Sequence, residues 1–200
     1  MRQLIIVRKD LGMSVGKTAA QVSHASMAFL TRMIQQNTNK YYKYRYSAVD
    51  HDSNQQLYKR NDLCTLSEQA YKEGKKYFCA KHEEPGNILS KLVPCDDEYE
   101  YRTDMVIDNT TYEEWIGGIF TKTVCEAKNR NQLLKVLDAA QALGMKENED
   151  YFLIKDACLT ELAPEETDEN GNGWTLTCIG FCPLPDDIAY QLSKKYQLLK

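Results

Sequence analysis

Two hundred residues, 42% of them apolar and 27% charged, suit one globular domain with an elaboration, or two small units. The chain has no run of about 18 apolar residues, so a transmembrane helix is not expected. A formal net charge of −4 excludes a global pull on nucleic acid or an anionic membrane, so any such binding needs a local basic patch. The opening apolar stretch is too short for a signal peptide and runs at once into Arg8-Lys9-Asp10. Seven cysteines lack tight pairing spacing, and together with that opening they favour reduced thiols in the cytoplasm.

In chain order, Gln3 to Val7 is a short β-branched run bounded by charges, which predicts a strand buried on both faces. Lys9 to Gly16 suits a strand-to-helix loop. From Lys17 to about Gln36 no glycine or proline interrupts a helical pattern. At 100° per residue, Ala19, Val22, Ser26, Leu30 and Met33 share one side, predicted to pack on the sheet. Lys17, Gln21, His24, Ala28 and Thr31 share the other, which places a cation, an amide and an imidazole within two turns, toward a cleft. Small residues on the packed side let this helix lie close.

Residues 37–110 change character, with clusters of Tyr, Lys and Asp and weak periodicity, and are predicted to form an inserted subdomain with partial helix content. Leu63 to Lys76 fits one helix, Pro85-Gly86 marks a turn, and Asp96-Asp97-Glu98 a solvated surface. Two readings stand for Lys40-Tyr41-Tyr42-Lys43-Tyr44-Arg45-Tyr46. It is a tyrosine-rich strand with an outward basic face, or a surface whose cations, Lys43 and Arg45, track a phosphate chain while its rings stack on bases.

Regular patterning returns at Thr111 to Trp115, one or two helical turns ended by Gly117-Gly118, followed by a strand over Ile119 to Ala127. Asn129 caps an amphipathic helix through Leu133, Leu134, Leu137 and Ala140, closed by Gly144. Strands follow at Tyr151 to Asp156 and Thr175 to Gly180. Pro185-Asp186-Asp187 opens a last helix, with its acids at the positive end of the macrodipole. The alternation predicts an α/β fold: three layers, α/β/α, around a mixed, mostly parallel four-stranded sheet.

Three stretches together resemble the type 2 peptidyl-tRNA hydrolases. They are Val7 to Met13 running into Gly16-Lys17-Thr18-Ala19-Ala20-Gln21-Val22-Ser23-His24-Ala25, then Leu153 to Pro164, and Ile179-Gly180 with the proline-acid helix start. The likeness covers residues 1–36 and 111–200. It implies hydrolysis of the ester joining a peptide to the terminal ribose of tRNA, no cofactor, and a homodimer. It places the reactive groups on Lys17, Asp156 and Thr160, with a second threonine at Thr175 and with Gln21 and His24 in support. These positions suit that chemistry. Asp156 ends a strand, where ligand sites in α/β sheets gather, and its carboxylate can take a proton from attacking water. Thr160 can orient that water. Lys17, in a first helical turn, can meet a phosphate or an oxyanion. The scheme needs no metal and no serine or cysteine nucleophile.

The chain departs from the family after Asp156. Cys158 and Leu159 stand where the family has glycine and arginine, and Glu161 where it has glutamine. An acidic loop from Glu165 to Glu169 follows. A guanidinium suited to phosphate is lost, and new carboxylates are expected to repel one. A non-catalytic binding or regulatory module of the same fold is therefore the alternative function. His24 suits a hydrogen-bonded structural imidazole better than a general base. Cys79-x-x-His82, with Cys64 and Cys95 distant, lacks the second close pair of a zinc site. Cys178 and Cys182 read as buried small hydrophobes.

Overall fold

The computed structural model describes residues 1–50, 56–67 and 88–200, with side chains described outside 42–98. Strand β1 (Arg2–Arg8) leads into α1 (Val15–Gln36), β2 (Thr38–Asp50), β3 (Gln56–Ser67) and β4 (Ile88–Thr103). A π-helical segment, α2 (Thr111–Ile119), precedes β5 (Lys122–Ala127), α3 (Arg130–Ala142) and β6 (Tyr151–Asp156). The short β7 (Glu166–Thr167), long β8 (Gly173–Leu184), α4 (Asp186–Ser193) and short β9 (Gln197–Leu198) complete the order. Two compact units result, Met1–Gln35 with Val106–Lys200, and Gln36–Met105. No described helix is long and apolar enough to cross a membrane.

The first unit is α/β with a mixed sheet in the order β6-β8-β1-β5-β9, and β7 paired to β8. The expectation of mostly parallel strands is corrected. Only β1 and β5 run parallel, while β8 is antiparallel to β1, β6 and β7, and β9 to β5. The physical reason lies between β6 and β8. No helix separates them, only a loop carrying β7, and a strand that returns without a crossover pairs antiparallel. The described sheet also exceeds the four strands expected, because the two-residue strands β7 and β9 leave no hydrophobic run to read.

Alternation along β1 buries both faces. Leu4 and Ile6 pack with Leu133, Val136 and Ala140 of α3 and Ala189 and Leu192 of α4. Ile5 and Val7 pack with Ala25 of α1 and Cys178 of β8. Each leucine, isoleucine or valine among them contributes about 1.5–3 kcal/mol by leaving water. Helix α3 begins where Asn129 accepts the Gln132 N–H at 3.0 Å, as its cap pattern predicts. Trp115 is fully buried, with its indole N–H donated to the Thr121 carbonyl and its ring edge-on to Phe29 of α1.

The face of α1 differs from its apolar reading. Ala19 is exposed, while Gln21 and Ala25 are buried, so the packed stripe is rotated toward the residues taken as polar. A buried amide with two partners is as acceptable inside as a methyl, and periodicity of apolar residues cannot register it. The helix does lie close to the sheet, through Ala25 on Gly180. A Cβ at Gly180 would stand 2.4 Å from the Ala25 carbonyl oxygen.

The second unit is a three-stranded antiparallel sheet, β3-β2-β4. The helix expected over Leu63–Lys76 is corrected, since residues 63–67 belong to β3 and the remainder lies outside the described residues. Pairing of residues 63–67 with Tyr41–Arg45 of β2 overrides the helical pattern, as tertiary context commonly does. Pro85-Gly86 and the Cys79-x-x-His82 spacing also lie outside, as do the side chains of Cys64, Cys95 and the 96–98 acids. The Lys40–Tyr46 run lies in β2, with Lys43 opposite Thr65 and Arg45 opposite Leu63. At the described end of this sheet the Lys40 ammonium stands 4.0 Å over the Tyr99 ring, and Arg102 lies 4.8 Å over Tyr41.

Gly180→Ala is expected to destabilise the fold by about 2–3 kcal/mol, because backbone rather than a movable side chain opposes the new methyl. A urea midpoint equal to wild type would refute the close approach of α1 to β8.

Candidate active site

Strand β6 ends at Asp156, opposite Thr175 of β8. Its carboxylate is nearly buried and gathers three donors. Lys17 Nζ lies 2.6 Å and Gln21 Nε2 2.7 Å from Oδ2, and the Cys158 backbone N–H donates to Oδ1 at 2.9 Å. The Lys17 ammonium also donates to Thr160 Oγ1 at 3.2 Å. Burial pushes the Asp156 carboxyl up, but the bonds from Lys17, the Cys158 N–H and Gln21, with the Lys17 charge, outweigh it. Asp156 is held below the ordinary carboxylate value. Lys17, Asp156, Thr160 and Gln21 are therefore brought together, from one helix, one strand end and one loop.

Gln21 is held in turn by a residue that sequence reasoning missed. Thr177 is fully buried and donates to Gln21 Oε1 at 2.6 Å, with the Ile154 carbonyl 3.0 Å from its hydroxyl. Its signal was the Thr175-Leu176-Thr177 spacing, which puts two hydroxyls on one face of a strand. Thr175 is spent on the loop: its hydroxyl donates to the Ala163 carbonyl at 2.9 Å and accepts the Glu165 N–H at 3.0 Å. His24 is exposed on α1, outside this network of described residues. Lys43 and Arg45 are placed by backbone alone.

The departures have definite geometries. Cys158 has φ of 55°, the left-handed region where a Cβ costs energy and glycine does not. Leu159 is 88% exposed. Glu161 accepts the Ser14 backbone N–H at 3.0 Å and the Ser14 hydroxyl at 2.6 Å. Ser14 also takes the Lys17 N–H on its hydroxyl oxygen at 3.2 Å, capping α1.

The acidic loop is not the bare negative surface its sequence implies, because its first two carboxylates are paired. Buried Arg8 meets Glu165 with two parallel bonds of 2.6 and 2.7 Å, and also holds Asp10 and the Leu176 carbonyl. Glu166 pairs with Arg130. Asp168 turns inward on the N–H groups of Asn170 and Asn172. Cys178 is buried, and burial pushes its thiol up to about 12; that of Cys182 is pushed up to about 12 by burial and by Asp150. Among the described residues no group of three or more His, Cys, Asp and Glu converges as metal ligands.

An ammonium, a carboxylate and a hydroxyl meet at a strand end of an α/β domain, which makes a polar site able to hold and move a proton. The chain belongs to the family described as Peptidyl-tRNA hydrolase PTH2, whose model matches residues 1–88 and 97–199. The break between the matched stretches falls in β4 of the second unit. Over 88 residues, 44% of this chain, it is 30% identical to the Peptidyl-tRNA hydrolase of Methanopyrus kandleri. That alignment spans 65% of the relative's own length.

Cys158→Gly is expected to raise stability by about 0.5–1 kcal/mol, as the left-handed strain outweighs the added freedom of the unfolded chain. A urea midpoint at or below wild type would show that the Cys158 side chain contributes more than its backbone costs.

Proposed function

We propose that the protein hydrolyses the ester between peptide and tRNA in peptidyl-tRNA, in the cytoplasm. One observation carries the reading: Lys17 Nζ stands 2.6 Å from Asp156 and 3.2 Å from Thr160, in a chain of this family. Lysine has three N–H donors. Two are given to Asp156 and Thr160, which leaves the third for the ester carbonyl. Thr160 accepts from Lys17, so its own O–H hydrogen is available to the same oxygen or to water.

The steps balance without a cofactor. Water attacks the ester carbonyl carbon and its proton passes to Asp156. The carbonyl π pair moves to oxygen, where Lys17 and the Thr160 hydroxyl stabilise it. When the tetrahedral intermediate collapses, the bond to the ribose oxygen breaks and the leaving alkoxide takes the proton from Asp156. Peptide and free tRNA are the products.

Residues 1–36 and 111–200 supply this core, and we assign the 37–110 insertion to tRNA contact. Lys43 and Arg45 on β2 would lie against the phosphate backbone, supplying cations that Leu159 does not. A homodimer completes the proposal, to be checked by sedimentation equilibrium. The exposed Leu159 and the Glu161 carboxylate favour a second reading, a binding module without catalysis.

A single-turnover assay on labelled N-blocked aminoacyl-tRNA separates the two. Asp156→Asn is expected to lower kcat by about 10² to 10⁴ while tRNA binding survives, since proton transfer matters only in the transition state. Lys17→Ala is expected to lose affinity together with rate. Hydrolysis near the wild-type rate in Asp156→Asn would move the chemistry elsewhere, and a wild-type chain that binds without hydrolysing would establish the module.

Changing Lys43 and Arg45 together to alanine is expected to flatten the salt dependence of tRNA binding by up to about two units, near 0.7–0.9 per phosphate contact. An unchanged slope would remove both residues from the interface.

A further inference from the structure

We infer that Glu161 is a positioning residue. Its carboxylate latches the loop after β6 onto the first turn of α1 and so holds the Thr160 hydroxyl on the Lys17 ammonium. The inference rests on the proposed hydrolysis for its chemistry, but the latch itself stands on geometry.

The loop from Ala157 to Glu161 joins two buried residues, Asp156 and Leu162, and its middle is open, with Leu159 88% exposed. Near its start the Cys158 N–H is tied to Asp156 at 2.9 Å. Toward its end the described tie is the two-pronged contact of Glu161 on Ser14, 3.0 Å to the backbone N–H and 2.6 Å to the hydroxyl. Thr160 lies between these ties. Its contact with α1 is the 3.2 Å bond from Lys17, whose long side chain cannot by itself fix a loop.

The hydroxyl of Ser14 has a set direction. Its oxygen accepts the Lys17 N–H, so its proton is given to Glu161. One serine thus joins the backbone of Lys17 to the residue after Thr160, and the two groups proposed to meet the substrate oxygen share a single brace. Hydrogen bonds from Ser14 hold the Glu161 carboxyl below its ordinary value, so the brace is ionised at neutral pH. Yet the contact needs hydrogen bonds rather than charge. A glutamine at the same place keeps both prongs by reversing one: its amide oxygen accepts the Ser14 N–H, and its amide N–H donates to the Ser14 hydroxyl oxygen.

The test is steady-state hydrolysis of an N-blocked aminoacyl-tRNA by the full chain. Glu161→Ala is expected to lower kcat by about tenfold or more with KM little changed, the signature of a misplaced group. Glu161→Gln should restore most of that loss. In a Thr160→Val background, Glu161→Ala should add nothing further, because it acts through the missing hydroxyl. An unaltered kcat in Glu161→Ala, a carboxamide as impaired as alanine, or full additivity with Thr160→Val would each overturn the assignment. If wild type shows no hydrolysis, the functional reading fails, and amide hydrogen exchange decides the latch alone. Faster exchange at Ser14 and through 158–161 in Glu161→Ala, but not in Glu161→Gln, supports it, and unchanged exchange overturns it.

Discussion

The contact of Ala25 with Gly180 sets the spacing of α1 and β8 on which the Gln21 and Lys17 contacts depend. Backbone meets backbone there, since no Cβ separates the strand from the helix. Counting back along α1 in steps of four residues, about 6 Å each, gives Gln21 and then Lys17 on the same stripe. Along β8 from Gly180 toward its start lie Thr177 and then Thr175, level with the end of β6. The stripe therefore grades from a packed methyl, through a buried amide bonded to Thr177 and Asp156, to an ammonium at the rim. A helix standing further from the sheet would leave Gln21 without Asp156, and a buried amide without partners costs about 1–3 kcal/mol.

Several of the residues that depart from the family's pattern have a local resolution. Cys158 takes the left-handed conformation that glycine would take, so the turn after Asp156 keeps its path at some cost in strain. Glu165 shares the buried Arg8 guanidinium with Asp10, each through a bidentate pair, and the Arg8 charge needs such partners to be tolerated inside. Glu161 lies on the helix start. Of the added negative charges, Glu165 and Glu166 are paired with arginines, while Glu161 and Asp168 are held by neutral hydrogen bonds. The lost arginine is the exception: Leu159 leaves an exposed aliphatic side chain in that place.

Much of the fold was legible because its signals were local. Tyr151 to Asp156 is a strand with the bounds its apolar run predicts, Asn129 caps α3, and β1 is buried on both faces. Lys17, Asp156 and Thr160 were legible through a motif, and the structure brings their side chains together. Three features were not legible, each for a physical reason. Strand direction depends on whether a connection crosses over, and the β6–β8 loop carries no hydrophobic pattern that says so. The packed face of α1 is marked by Gln21, a polar side chain whose burial depends on partners 135 and 156 residues away. The second unit pairs strands far apart in sequence, Thr38 with Thr103 among them, and helical periodicity had no purchase on it.

The low pKa of Asp156 bears on how such a site would turn over. A carboxylate with three donors is a weak base in the resting state, and on that ground alone a poor partner for water. The same donors change the account in the transition state. In the proposed hydrolysis Asp156 would lose its charge on taking the proton, and the Lys17 ammonium would no longer be held by an ion pair. Its charge would then act on the nearest anion, the oxygen of the tetrahedral intermediate. The resting ion pair would be exchanged for one formed only during reaction, and such a differential contact lowers a barrier. The lowered pKa would then favour the second step, in which Asp156 returns its proton to the departing ribose oxygen. Gln21 keeps the carboxylate in place throughout, being neutral and fixed by Thr177. On this account the weak base and its ammonium partner are two aspects of one coupled pair.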